Sequence, residues 1–474
     1  MSAILTFLKW FHPGMMVKRW IGLGFLGLLI FLVGMGVILQ SHPEGSKPLA
    51  VRVADWLIWR IHLDIRPGVF GVTLAIMGSL LCLIALGKLI HSLTSGLDPE
   101  RAPGGLVDAI YQKRRLAKGR RIVVIGGGTG LSTMLRGLKR YSGNITAIVT
   151  VADDGGSSGR LQKQLGILPP GDIRNCLVAL ADSEPLMTEL FQFRFRDTAA
   201  QRLPVNVTQE VPVGVGASSS PAPSEEVPAS LPRLIPTAGY GEGLRDHAFG
   251  NLLIAAMCAI NDGDFEKAVR ETSRVLNIRG RVLPSTVEHV RLRAEMEDGS
   301  FLEGETTIAH SPLKVKQISL MPEDVCPVDG VLDAIQKADV IVIGPGSVYT
   351  SIIPNLLVRG VPEAIRRSRA KKVYVCNVMT QPGETDSFSA CDHVKAIENH
   401  ARQRIFEYVL VNTGRPDKEI LEKYRQVGSV LVEPDIDRIK AEGYRPIPGD
   451  FINQTDVVRH DAAMLAEAIM RLLR

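Results

Sequence analysis

Four of the five residues in Gly126-Gly127-Gly128-Thr129-Gly130 are glycine, and Leu131-Ser132 follow them. The stretch lies between a short apolar run and an amphipathic pattern. Glycine lets a backbone approach a phosphate closely, and the N-terminus of a following helix favours an anion. Gly127, Gly128, Thr129 and Gly130 are therefore candidate phosphate-binding positions. The spacing is not the dinucleotide fingerprint, because the third glycine is missing whether the count starts at Gly126 or at Gly128. No lysine follows, so it is not a P-loop either. A tight turn is the plain alternative.

A second polar stretch, Asp153-Asp154-Gly155-Gly156-Ser157-Ser158-Gly159-Arg160, follows the next apolar run. An acid at the end of a second strand is placed to bind a ribose hydroxyl. Adjacent carboxylates at Asp153 and Asp154 can also hold Mg²⁺ through phosphates and water. Ser157 and Ser158 belong to a stretch able to form a backbone anion nest. A solvated turn would have the same composition. Further along, Asp172 is placed to cap a helix carrying Ile173, Leu177 and Leu180, and Arg174 in its first turn can reach a phosphate bidentately. His247 is a candidate acid or base, and Asn251 a ligand or ribose reader. The bland alternatives are an exposed loop histidine and a helix cap. Asp154, His247 and Asn251 are the candidates for catalytic roles. Gly344, Gly346 and Ser347, with Thr350, form another strand-to-helix anion loop. Asn377 and Thr380 lie in a polar, glycine- and proline-containing loop after the next strand, where Thr385 or Asp386 can cap the helix that follows.

The elements that must position these loops show in the pattern from residue 121 onward. Residues 121–125, 145–151, 340–343, 372–376 and 408–411 read as strands, with a helix over 131–141 and a last helix over 461–473 capped by Asp461. Strands alternating with helices imply an α/β fold with a mostly parallel sheet covered on both faces. Ligands then bind beyond the carboxyl ends of the strands, where these loops converge. Asp298-Gly299 between residues 287–296 and 300–308 signals a hairpin, an antiparallel excursion from the main sheet. Residues 197–243, with Ser218-Ser219-Ser220-Pro221 at their centre, read as a disordered insertion.

The chain has 474 residues and a formal net charge of +5. No segment of the globular part carries a basic run interleaved with aromatics, which argues against nucleic-acid binding. Six scattered cysteines with no C-x-x-C pair leave zinc and redox motifs unsupported and fit a reducing compartment. Residues 20–39 and 68–87 are uncharged and apolar, and about 20 such residues span a bilayer core of roughly 30 Å. Two transmembrane helices are expected. The first run is too long for a signal peptide and lacks a small-residue cleavage site. Residues 51–65 mix tryptophans with charges, as an interfacial stretch or a loop at the membrane belt. The densest basic cluster, Lys88, Arg101, Lys113, Arg114, Arg115, Lys118, Arg120 and Arg121, follows the second helix. The positive-inside rule then puts both the N-terminus and the C-terminal part in the cytosol. Residues 1–120 are the expected membrane anchor with its basic linker, and residues 121–474 the ligand-binding domain.

Together, residues 126–132, 151–161, 169–181, 241–256, 344–358 and 377–386 resemble the gluconeogenesis factor family (YvcK-like), part of the wider CofD-like superfamily of 2-phospho-L-lactate transferases. The resemblance runs from about residue 121 to the C-terminus. It implies a Rossmann-like fold and a nucleotide-type ligand such as a UDP-sugar. It also implies a regulator of cell-wall synthesis and cell shape on gluconeogenic carbon sources. The alternative from the same superfamily is a Mg²⁺-dependent transfer of a phospho-group from a nucleotide diphosphate donor. By this resemblance Asp153, Asp154 and Asn251 are expected to meet ligand or metal. The expected partners are a UDP-sugar or another nucleotide diphosphate, the lipid bilayer of the cytoplasmic membrane, cell-wall synthesis proteins and further copies of the chain in a homo-oligomer. The membrane helices and the insertion depart from the usual soluble member of the family.

Overall fold

The structure, a computed structural model, describes residues 17–39, 67–94, 114–182, 184–195, 244–454 and 458–473. The chain divides into two compact units, residues 1–119 with 141–144 and residues 120–140 with 145–474. The insertion at 197–243 and the stretch at 51–65 lie outside the described residues.

In the first unit, helix α1 spans Val17–Leu39 and helix α2 spans Pro67–Thr94. Within them, Arg19–Ile38 and Val69–Leu89 are long and apolar enough to cross a membrane, and only 17% and 22% of these spans is buried. That exposure separates them from the core helix of a soluble protein. The helices touch backbone to backbone through glycine. A Cβ on Gly34 would lie 2.6 Å from Ala75 N, and one on Gly78 2.5 Å from Phe31 N. Such close approach is how apolar helices associate where lipid removes the hydrophobic drive.

In the second unit, apolar β-branched runs form a seven-stranded sheet, parallel at every pairing. Its strands are β1 (Ile122–Gly126), β2 (Ile145–Val149) and β3 (Arg281–Pro284), then, after a separate three-stranded sheet, four more. The separate sheet is antiparallel: β4 (Arg291–Met296), β5 (Phe301–Glu303) and β6 (Val315–Met321). The main sheet continues with β7 (Val340–Ile343), β8 (Lys371–Val375), β9 (Tyr408–Asn412) and β10 (Arg445–Gly449). A small ribbon of β11 (Ile452–Gln454) and β12 (Val458–His460) ends the strands. The order is β10-β9-β8-β7-β1-β2-β3. The chain winds outward from β1 to β3, then returns beside β1 as β7 and winds the other way. This is the Rossmann-like order, and the reversal between β1 and β7 is the switch point at which such sheets bind ligands.

Strand ends differ from the sequence reading by one or two residues. Three other differences have physical causes. The second hairpin arm stops at Glu303, because Gly304 takes φ 94° and Glu305–Ala309 turn into a short helix. The Asp154 carboxylate accepts from Thr306 N at 2.9 Å and Thr306 Oγ1 at 2.7 Å, satisfying that helix's first amides. The first arm begins only at Arg291, since Glu288 is held in a loop by Cys326 N, 2.7 Å from its Oε1. The helix capped by neither Thr385 nor Asp386 spans Ala390–Ala401. Its N-cap is Ser389, in a capping box with Asp392. Asp461 does cap the last helix, accepting from Ala463 N and Met464 N at 2.8 Å. All six cysteines are free thiols.

Helix α3 (Gly128–Leu138) buries Leu131, Met134, Leu135 and Leu138, one stripe at helical spacing. It meets the final helix, Ala462–Leu472, at Gly137, where an added Cβ would collide with the carbonyl oxygen of Ala462 and sit 2.9 Å from Ala466 Cβ. Gly137→Ala is expected to lower stability by about 1–3 kcal/mol, because backbone must move to admit the methyl. Chemical denaturation reads this directly, and an unchanged midpoint would mean the two helices separate freely.

Candidate functional site

The loops after β1 and β7 emerge side by side and nearly touch. A Cβ on Gly130 would lie 2.6 Å from the carbonyl oxygen of Pro345, so only glycine fits there. Gly128 holds φ at 67°, a conformation that glycine adopts without strain. The loop after β8 is tied to this pair. Asn377 Nδ2 donates to Gly346 O at 2.9 Å, while Gly346 N donates to Asn377 Oδ1 at 3.2 Å. Gln381 Nε2 donates to Ser347 Oγ at 2.6 Å.

These loops enclose a cavity of about 310 Å³ lined by Gly127–Gly130, Pro345–Ser347 and Asn377–Met379, among others. The far wall carries Tyr424, from the helix Lys418–Gln426, and Val458, Arg459 and His460 from β12. A small apolar cluster of Val378, Met379, Ile452 and Val458 fixes that wall. Burial lowers the His460 imidazole to about 4, against an opposite pull from the Phe451 and Cys376 backbones, so the ring is neutral. Among the described residues, no carboxylate lines the cavity. Sequence reasoning missed Tyr424, Arg459 and His460. The signal was two short β runs around Gln454-Thr455-Asp456 near the C-terminus. Two predicted positions do not face this space. Gly344 turns the chain at φ 74° behind it, and buried Thr380 braces a neighbouring loop, its Oγ1 accepting from Val430 N at 2.9 Å.

The other predicted residues gather over β2 instead. Ser157 is the centre of a buried network: Asn251 Nδ2 donates to its Oγ at 3.0 Å, and Ala248 N at 3.4 Å. The hydroxyl proton is left for His247 Nδ1, 3.0 Å away. His247 therefore accepts at Nδ1 and carries its proton on Nε2. It is only 2% exposed, not the surface loop residue of the bland reading, and burial lowers its pKa, helped by the charges of Arg160 and Arg194. Asn251 is in the first turn of the helix Phe249–Ile260 rather than at its cap. Its Oδ1 accepts from Arg174 Nη1 at 3.0 Å. Arg174 also donates to Asn175 Oδ1, from Nη2 at 2.9 Å.

The acids form a third group. Asp172 is not an N-cap: the helix Gly171–Leu180 starts before it, and Pro170 holds the cap position. Burial raises Asp172 to about 6, with Asp153 adding to the shift and the Gly128 amide opposing it. Asp153 is raised by burial, against hydrogen bonds from Gly155 N at 2.9 Å and from Ser158. Two acids were not anticipated. Glu305 is raised to about 7, by burial first and then by the charges of Asp153 and Asp154. Glu384 is 5% exposed and accepts from Thr350 Oγ1 at 3.2 Å, and burial raises its carboxyl too. Among the described residues, no three His, Cys, Asp or Glu side chains converge as a metal cage. Asp153 and Asp154 add to the rise at Glu305, and a cation carried in with ligand phosphates would relieve that repulsion, since Mg²⁺ is usually held by only one or two carboxylates.

Glu305 should leave a mark on the pH dependence of stability. Its carboxyl ionises near 4.5 when unfolded and near 7 when folded. Between these values the folded chain binds the extra proton, so stability falls as pH rises through the window and the loss is complete above it. In metal-free buffer, Glu305→Gln should melt a few degrees above the parent at pH 8 and together with it at pH 4. Equal melting at both pH values would mark Glu305 as an ordinary solvated glutamate.

Residues 122–452 match the family model described as 2-phospho-L-lactate transferase CofD. A gluconeogenesis factor from Halalkalibacterium halodurans is 46% identical over 355 residues, 74% of this chain and 96% of its own. One from Bacillus subtilis is 44% identical, covering 75% of this chain and 98% of its own. A relative from Nostoc sp., provisionally given the same name, is 40% identical over 98% of this chain and 92% of its own, so that match runs through the two apolar helices. A crystal structure of a UPF0052 family protein from Bacillus halodurans, 44% identical, superposes with a TM-score of 0.63 over 74% of this chain and 99% of that one. Strand order, glycine loops and relatives agree: the chain belongs to the CofD family, alongside proteins named gluconeogenesis factor.

Proposed function

We propose that the chain is a membrane-tethered regulator that binds a nucleotide sugar in the switch-point cavity and links carbon supply to cell-wall synthesis and cell shape. One observation carries this reading. The cavity is walled by glycine-loop backbone, hydroxyls, Arg459 and a neutral His460, with no carboxylate among the described residues. Such a lining suits a diphosphate, and His460, lowered to about 4 by burial, is too weak a base to take up a proton near neutral pH. Asp153 and Asp154 are the residues that would hold Mg²⁺, which would supply charge neutralisation to the phosphates. The names of the relatives support the regulatory side of the proposal. Full-length chain in detergent should melt higher with a UDP-sugar than with GDP or NAD, since a ligand specific to the folded state raises stability by about 2.7 kcal/mol at a hundredfold excess over Kd. Gly130→Ala should abolish the shift, because its methyl meets the Pro345 backbone. No shift with any nucleotide sinks the proposal. Mg²⁺-dependent release of a nucleoside monophosphate from the ligand would replace the regulator with a transferase.

The basic residues after the second apolar helix place residues 121–474 on the cytosolic side in this proposal. Protease added outside spheroplasts should leave that part intact, and its cleavage would reverse the assigned orientation.

A further inference from the structure

The charges of Arg160 and Arg194 bear on His247, Arg174 reaches the same network through Asn251, and none of the three makes an ion pair within the described residues. Arg174 spends its donors on the amide oxygens of Asn175 and Asn251. Arg194 runs beside the histidine segment through a bridge to Ala248, and its Nη1 donates to Asp246 O at 2.8 Å. Arg160 adds its charge beside the same ring. It lies one turn beyond Ser157 on the helix Gly156–Leu165, on the face that holds the histidine, because positions three apart on a helix are neighbours. Its Nε is buried with no hydrogen-bond partner. A buried charged donor left unpaired is costly, and an oxyanion is the group that satisfies it. His247 adds a donor. Ser157 holds its Nδ1 at 3.0 Å, which leaves the Nε2 proton without a partner among the described residues.

We infer that Arg160, Arg194 and the Nε2–H of His247 form a second anion site, separate from the glycine-loop cavity, for the oxyanion of a small phosphate- or carboxylate-bearing molecule. The planar guanidinium fork matches either oxyanion bidentately. Ser157 acts as a positioning residue, since it sets which imidazole nitrogen carries the proton. None of these residues lines the switch-point cavity, so the site does not depend on what that cavity takes.

Equilibrium dialysis of the full-length chain in detergent against labelled inorganic phosphate tests the site, with acetate as competitor. Gly130→Ala, which closes the glycine-loop approach, should still bind phosphate saturably. The Arg160→Gln/Arg194→Gln pair should bind about tenfold more weakly or worse, as expected when charge-assisted bonds are removed. Arg194→Gln alone, at an exposed position that leaves the core untouched, should weaken binding by a smaller factor. Displacement of phosphate by acetate at similar concentration assigns the site to carboxylates, and resistance assigns it to phosphates. Absence of saturable phosphate binding overturns the inference. So does binding that Gly130→Ala removes and the arginine pair leaves unchanged.

Discussion

The molecule is organised around the approach of two loops where the strand order reverses. β1 and β7 run parallel and in register, so the turns that end them must share one narrow space. Gly130 accepts the Pro345 carbonyl where any side chain would strike it, and Gly127 leaves room for the Asp172 carboxylate and the Thr150 methyl. Once these backbones are that close, the Gly128 amide at the start of α3 meets the Asp172 carboxylate. The Asn377 amide then imitates a strand partner for Gly346 and brings the β8 loop into the same wall. The dipole of a helix that starts at such a loop favours negative charge beside it, and here Asp172 supplies part of that charge.

Much of this was legible in the sequence because local patterns and tertiary demands coincide. Runs such as Val340, Ile341, Val342 and Ile343 are apolar on both faces and could only be covered strands. The glycine loops announced themselves by composition. What escaped has a common cause: side chains whose role is set by a distant partner. Asp172 looked like a cap because caps are local, yet its carboxylate faces the Gly128 amide far away in sequence. Asp154 serves the helix at Thr306, and the capping box at Ser389 competed unseen with Thr385 and Asp386. Thr380 sat in the right loop, but its hydroxyl braces Val430 rather than facing the cavity. The wall from Tyr424, Arg459 and His460 needed the β11–β12 ribbon to fold back, and no motif marks that return.

The polar residues around the site sort by charge. Carboxylates gather near the loops after β2 and β5, where burial raises Asp153, Asp172 and Glu305, while the charges of Arg160 and Arg194 bear on His247. Arg174 stands between the two, raised by the charges of Asp172 and Asp153 and lowered by burial and by Arg194. Its neutral amide partners keep it from collapsing onto either side. The two poles therefore remain distinct environments within one domain, with no ion pair joining them among the described residues.

The last strand and the last helix share more than sequence proximity. β12 ends at His460 in the cavity wall, Asp461 caps the next helix, and that helix rests against Gly137 on the helix that begins at the glycine loop. The final helix thus closes a loop of contacts that returns to the glycine-rich turn. A displacement of that helix is thereby transmitted to two walls of the cavity at once, through the helix that begins at the glycine loop on one side and through His460 on the other.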